Sequence, residues 1–257
     1  MRLKFSLDQL LLEYKEDDVV KPLKSFDLQK TLHPIVWDKQ DKIKPEIRKD
    51  LMDIAQDVFD SLEVNFEYDD VILTGSLANY NWSDYSDFDL HILLDFSKVN
   101  PDTELVTKYF DAFKKNWNSS HDIRIHGFDV EIYLQDSQAK HISTGFYSIL
   151  HDEWDVKPNP FTQKIDKESI RVKALGYMEE IDELEKLYDA NRYDYKDFHD
   201  RLGKVWTKIR HGRQAGLDKD GELSVENLVF KMLRRNEYIQ KVIDLKSGSY
   251  DRAHSMG

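Results

Sequence analysis

The chain has 257 residues, a net charge of −12 and no cysteine, with 40% hydrophobic and 33% charged residues. Thirteen Tyr, thirteen Phe and five Trp supply bulk for one large core or two modest ones. The absence of cysteine excludes disulfides, zinc fingers and thiol catalysis, and makes a reducing cytoplasm the simplest expected setting. No apolar stretch approaches the roughly 20 residues of a membrane span, so no membrane partner is expected. Met1-Arg2-Leu3-Lys4-Phe5 is not followed by the apolar run of a signal peptide. The acidity is uneven: residues 163–257 carry 19 Lys+Arg and 18 Asp+Glu, or +1, while the first 162 carry 18 and 31, or −13. Taken whole, that balance argues against a general nucleic-acid binder.

Residues 1–45 are charge-rich and read as an N-terminal arm, with Leu10-Leu11-Leu12 as a short helix. Pro45 suits the first turn of a helix, and Ile47, Leu51, Ile54, Ala55, Val58 and Leu62 recur behind it at helical spacing. A strand fits Val71-Ile72-Leu73-Thr74. It runs into Gly75-Ser76, after which Leu77-Ala78-Asn79-Tyr80 opens a short helix. A polar stretch, 81–86, leads to a second strand at Asp87. Glu104 to Trp117 is an amphipathic helix, and Ile123 to Leu134 is β-like with a turn at Gly127. Ile142 to Leu150 and Trp154 to Val156 pair across His151-Asp152-Glu153. Pro158 and Pro160 then break regularity. From Lys167 to Leu245 the pattern is helical, with breaks near Asn191 and at Gly216–Gly221, and a frayed tail follows from Ser247. The expected fold is therefore α+β: an arm (1–45), a mixed-sheet domain (46–162), an all-helical bundle (163–247) and a flexible tail (248–257).

The chemistry concentrates at Asp87 and Asp89, one residue apart in the run Phe88-Asp89-Leu90-His91-Ile92-Leu93-Leu94. Strand alternation puts both carboxylates on one face, with Phe88 and Leu90 on the other. Paired carboxylates repel unless a cation sits between them or one takes up a proton. Hard oxygen ligands of this kind suit Mg²⁺, or the similar Mn²⁺, together with substrate phosphates. Upstream, Gly75 allows close approach of backbone to a phosphate. Ser76 offers a hydroxyl, and the helix opening there offers N–H groups and the positive end of a dipole.

Gly75-Ser76, ten intervening residues, then Asp87-Phe88-Asp89-Leu90 resembles the signature of the polymerase-beta-like nucleotidyltransferase superfamily. As a whole the chain is also similar to predicted nucleotidyltransferases of large tailed phages, through Thr74 to Tyr80 and Gly216 to Lys231. The resemblance implies a nucleotidyltransferase domain and transfer of a nucleoside monophosphate from an NTP, ATP among the candidates, with release of pyrophosphate. It implies metal binding and catalysis by Asp87, Asp89 and a third acid on a later strand. Asp129 and Glu131 both qualify, with Glu131 preferred because its neighbours, Val130 and Ile132, are aliphatic. It assigns Gly75 and Ser76 to the β/γ-phosphates.

His91 shares the carboxylate face and is read as structural, with contact to substrate or metal-bound water as the alternative. Residues 201–213 contain Arg201, Lys204, Lys208, Arg210 and Arg213 and no acid. Given the resemblance, Lys204 and Lys208 are expected to bind triphosphate or a polyanionic acceptor. The acceptor is open among an RNA end, a protein side chain, a small molecule and a nucleotide, and the basic helices leave room for a tRNA-sized nucleic acid. The alternative is a catalytically inactive nucleotidyltransferase-fold binding protein that acts as an antitoxin-like partner or sequesters nucleotide.

Overall fold

The computed structural model describes residues 21–64, 66–139 and 143–255, so the expected helix at Leu10–Leu12 and the start of the strand at Ile142 lie outside the described residues. The described chain is α+β and divides into two compact units. Residues 27–162 build the first around a sheet; residues 163–255, with 21–26, build the second from helices. No described helix is long and apolar enough to cross a membrane.

In the sheet unit, α1 (Pro45–Asp60) starts at its proline and buries Ile47, Leu51, Ala55, Val58 and Phe59 along one face. Six strands follow: β1 (Asp70–Thr74), β2 (Phe88–Leu94), β3 (Arg124–Ile125), β4 (Phe128–Asp136), β5 (Phe146–Ser148) and β6 (Glu153–Val156). They form one mixed sheet in the order β3-β4-β2-β1-β5-β6. All neighbours are antiparallel except β2 and β4. A parallel pair needs a crossover, which α2 (Phe96–Val99) and α3 (Thr103–Ser120) provide. The turn between β3 and β4 carries His126 and Gly127 at positive φ, at the expected position. Alternation holds through the first five residues of β2: Phe88, Leu90 and Ile92 are fully buried, while Asp89 and His91 face the other way and are half-buried.

Over its described part, residues 21–45, the expected arm is not an arm. Leu32, Val36, Trp37 and Ile43 are buried in the same core as α1 and the sheet. The Trp37 indole donates to the Leu77 carbonyl at 2.7 Å and stacks on Trp154 with ring centroids 4.5 Å apart. Gln29 N–H donates to the Tyr80 carbonyl at 2.7 Å, and the Trp82 indole to the Thr31 carbonyl at 2.8 Å. These residues follow neither a helical nor a strand period, because they are irregular chain pinned by individual rings and backbone bonds. The segment 21–26 belongs instead to the helical unit, where Phe26 is buried.

The helical unit contains α4 (Lys167–Asp189), α5 (Tyr195–Asp220), α6 (Val225–Arg235) and α7 (Tyr238–His254). Asp166, Asp194 and Ser224 cap the first three, each accepting from a first-turn backbone N–H. The break expected over Gly216–Gly221 comes at its end: the helix runs through Gly216 to Asp220 and is capped by Gly221. One expectation is corrected: the chain is not frayed from Ser247, since α7 continues to His254 and Ser249 is 1% exposed. Small residues explain both continuations, since Gly216 sits against α6 and Gly248 against the Tyr188 ring, where apolar periodicity gives no signal.

That packing reverses the usual effect of Gly→Ala. A Cβ on Gly216 would lie 2.7 Å from Ser224 Oγ and 2.9 Å from Glu226 Cβ, whereas one on Gly203 meets nothing within 4 Å. Gly203→Ala is expected to stabilise the protein by about 0.5–1 kcal/mol through helix propensity. Gly216→Ala is expected to destabilise it by about 1–3 kcal/mol through overpacking. Chemical denaturation of the two variants checks the opposite signs.

Candidate active site

The first carboxylate stands just before β2, at Asp87, and the second inside it, at Asp89. The parallel register pairs Asp89 with Glu131 on β4, and the antiparallel one pairs Asp89 with Thr74 at the end of β1. Backbone hydrogen bonds of the two central strands therefore set Asp89 and Glu131 side by side. Asp87, Asp89 and Glu131 bring carboxylate oxygens within 4.8 Å of one another, all three half-buried.

Asp129, the other candidate for the third acid, is separated from them by the structure. It is exposed at the outer end of β4, pairs with Arg124 in register and accepts from Arg124 Nε at 2.7 Å. Glu131 lies one pleat inward, where β4 already runs beside β2.

Gly75 closes the site from the side of β1. Its φ of 75° and ψ of −159° lie in a region open almost only to glycine. A Cβ there would overlap Asp89 Oδ2, with Asp89 Cγ 2.7 Å away. The backbone at Gly75 thus rests directly on the second carboxylate. Ser76 donates to Ser86 Oγ at 2.8 Å, and Ser86 Oγ accepts from Ser83 N–H at 3.0 Å. The hydroxyl contact ties the Gly-Ser turn to the loop that delivers Asp87. The expected helix here is a single 3-10 turn, Ser76–Ala78. It is too short to carry a macrodipole, which removes that part of the expected phosphate attraction. From the other flank, Thr74 Oγ1 donates to the Gly145 carbonyl at 3.0 Å, and Asn79 Nδ2 to Thr144 Oγ1 at 2.7 Å.

Tyr133 is the site residue that motif spacing does not find. It follows Glu131 by two positions on the same strand face, and its hydroxyl donates to Glu131 Oε2 at 2.7 Å. Burial pushes the phenol well above its ordinary pKa, reinforced by the negative charge of Asp89 and Glu131 and by the hydrogen bond itself. It stays protonated and holds Glu131 as acceptor. The Tyr133 ring stacks on His91 at 4.5 Å, beneath Lys114 Nζ from α3 at 5.0 Å. His91 Nδ1 lies 2.7 Å from Gln135 Oε1. These contacts give His91 a packing role behind the carboxylates.

Three half-buried carboxylates are a fitting donor set for a hard divalent cation: all oxygen, all anionic and converging. Lys204 and Lys208 lie on α5 of the helical unit, both exposed, with Lys208 Nζ 5.2 Å from the Tyr177 ring centroid. Comparison of the chain with protein-family models, with curated proteins and with solved structures finds no match.

Proposed function

We infer that the sheet unit is a nucleotidyltransferase of the polymerase-beta-like kind. It would move a nucleoside monophosphate from an NTP to an acceptor hydroxyl or phosphate and release pyrophosphate. The observation that carries this inference is the convergence of Asp87, Asp89 and Glu131 with Gly75 pressed against Asp89. A solvated acidic face would not need a glycine of special φ packed on one of its carboxylates.

Asp87, Asp89 and Glu131 would hold Mg²⁺, which when bound neutralises the triphosphate and polarises the reacting phosphoryl group. The acceptor oxygen forms its bond to the α-phosphorus as the bond to the bridging oxygen breaks, and pyrophosphate leaves with that electron pair. Glu131 orients an acceptor hydroxyl through Oε1, because Oε2 already accepts the Tyr133 hydroxyl, and its negative charge favours loss of the acceptor's proton. Gly75 and Ser76 meet the β/γ-phosphates through backbone and hydroxyl. Lys204 and Lys208 are proposed to add charge to the binding of triphosphate or acceptor.

The test is pyrophosphate release from each NTP with Mg²⁺, with and without candidate acceptors. No release under any condition, together with NTP binding, would leave a binding protein of this fold. The third acid gives a sharper outcome. Glu131→Gln is expected to lower turnover by about 10²–10³-fold, as loss of a transition-state contact does, with NTP affinity little changed. Asp129→Asn, which loses only an exposed partner of Arg124, is expected to stay within about threefold of wild type. Equal losses at both positions would remove Glu131 from the mechanism.

A further inference from the structure

Beyond the charge that Lys204 and Lys208 are proposed to lend to the transfer reaction, cations of residues 201–213 share a local arrangement with rings. In the helical unit several cations meet acids: Arg171 with Glu168 at 2.8 Å, Lys173 with Glu226 at 2.6 Å, and Lys241 with Asp182 and Glu185 at 2.9 and 2.8 Å. Others lie over rings, as Arg235 does over Phe26 and Arg252 over Tyr188, and three such cations cluster on one stretch of α5. Lys208 Nζ is 5.2 Å from the Tyr177 centroid, Arg210 Cζ 5.8 Å from Trp206, and Arg213 Cζ 4.2 Å from Phe230. Among the described residues, neither Lys208 nor Arg210 makes an ion pair. The rings hold Lys208 and Arg210 in place without neutralising them.

The same rings wall two adjoining cavities. One, about 570 Å³, lies between α4, α5 and α6 and is lined by Tyr177, Lys208, Arg213 and Phe230. Gly176 and Gly212 leave its floor free of side chains. The other, about 510 Å³, is lined by Trp206, Arg210, His211, Arg213 and Phe230, with no acid on its wall. The acids of the first are Glu180 and Glu226, the latter engaged by Lys173. Arg213 and Phe230 line both, so the two cavities flank one cation–ring pair, and Arg213 Nε is fixed by donation to Asn227 Oδ1 at 3.1 Å.

We propose that this face of the helical unit binds a short stretch of single-stranded nucleic acid, with a base in each cavity and the linking phosphates on Arg213, Arg210 and Lys208. Each cavity has the size of a small-ligand site. Guanidinium planes backed by rings are surfaces on which bases stack without sequence preference, and the cations between them track the backbone. A duplex hides its bases and does not fit this alternation. In a chain of net charge −12, an acid-free run of cations is a confined attraction for a few phosphates, not for a long polyanion.

The test is fluorescence anisotropy of the full-length protein with a labelled 12-nucleotide RNA of unstructured sequence, over a salt series. The single strand is expected to bind at least tenfold tighter than the matching duplex or an abasic strand of equal length. Lys208→Gln/Arg210→Gln is expected to weaken binding at least tenfold at low salt. It should also make the slope of log K against log salt shallower by about 1.4, two contacts at about 0.7 each. Lys196→Gln/Lys246→Gln, in the same unit but lining neither cavity, should bind as wild type does. So should Asp87→Asn/Asp89→Asn, which separates failure here from failure of the transferase. Equal binding of duplex, abasic strand or polyglutamate, or unchanged binding by Lys208→Gln/Arg210→Gln, would overturn the proposal.

Discussion

Replacing Asp87 and Asp89 together by Asn is expected to abolish pyrophosphate release from NTP while leaving the protein folded. Their oxygens and those of Glu131 lie within 4.8 Å of one another at half-buried positions. At an effective dielectric of about 20, each such pair repels by on the order of 3 kcal/mol. In EDTA the Asn/Asn protein should therefore be relieved of that repulsion and melt close to wild type. Mn²⁺ or Mg²⁺ should raise the melting temperature of wild type alone, by about 2.7 kcal/mol equivalent at a hundredfold excess over Kd. Turnover should fall by at least about 10³-fold, as groups facing developing charge are each worth about 10²–10³. Wild-type rates in the double variant, or indifference of wild type to EDTA, would end the metal-dependent mechanism.

The second large effect is expected at Gly75. Gly75→Ala carries two costs: a backbone conformation worth about 1–3 kcal/mol of strain for any other residue, and a Cβ overlapping Asp89 Oδ2. Gly127 isolates the first of these, because its φ is 88° and a Cβ there meets nothing within 4 Å. Gly127→Ala is thus expected to lose about 1–2 kcal/mol of stability and to bind Mn²⁺ normally. Gly75→Ala should lose at least as much stability and also at least tenfold in Mn²⁺ affinity, because Asp89 must rotate out of the cluster. Titration calorimetry with Mn²⁺ on both variants decides the matter. Normal affinity in Gly75→Ala would mean that Asp89 is not held by the turn.

The sheet was legible wherever alternation was strict. Phe88-Asp89-Leu90-His91 announces both the strand and which face carries the acids, and Val71 to Thr74 is a short apolar run ended by glycine. The order of strands was not legible, because nothing in a single sequence says that β4 joins β2 in parallel. That pairing separates Glu131 from Asp129, since one pleat along β4 the partner changes from β2 to β3. Trp37 and its neighbours were read as an arm because aperiodic chain gives no pattern, although its rings are among the most buried in the unit. Tyr133 was missed for a different reason. A tyrosine in a strand is ordinary, and only the register that stacks it on His91 reveals its bond to Glu131.

The parallel pairing of β2 with β4 also bears on how this sequence tolerates change in length. Between Leu94 and Phe128 the chain runs through α2, α3 and the small β3 before it returns to the site. A residue gained or lost at exposed Asn100 or Asp102 is absorbed by that excursion, and the ladder holds Glu131 beside Asp89 regardless. One residue inserted between Phe88 and Asp89, or between Val130 and Glu131, instead turns every following side chain to the opposite face. Acids would then enter the core, and Leu90 or Ile132 would face the cluster. Descendants of this chain are thus free to lengthen or shorten the crossover, while β2 and β4 keep their residue count.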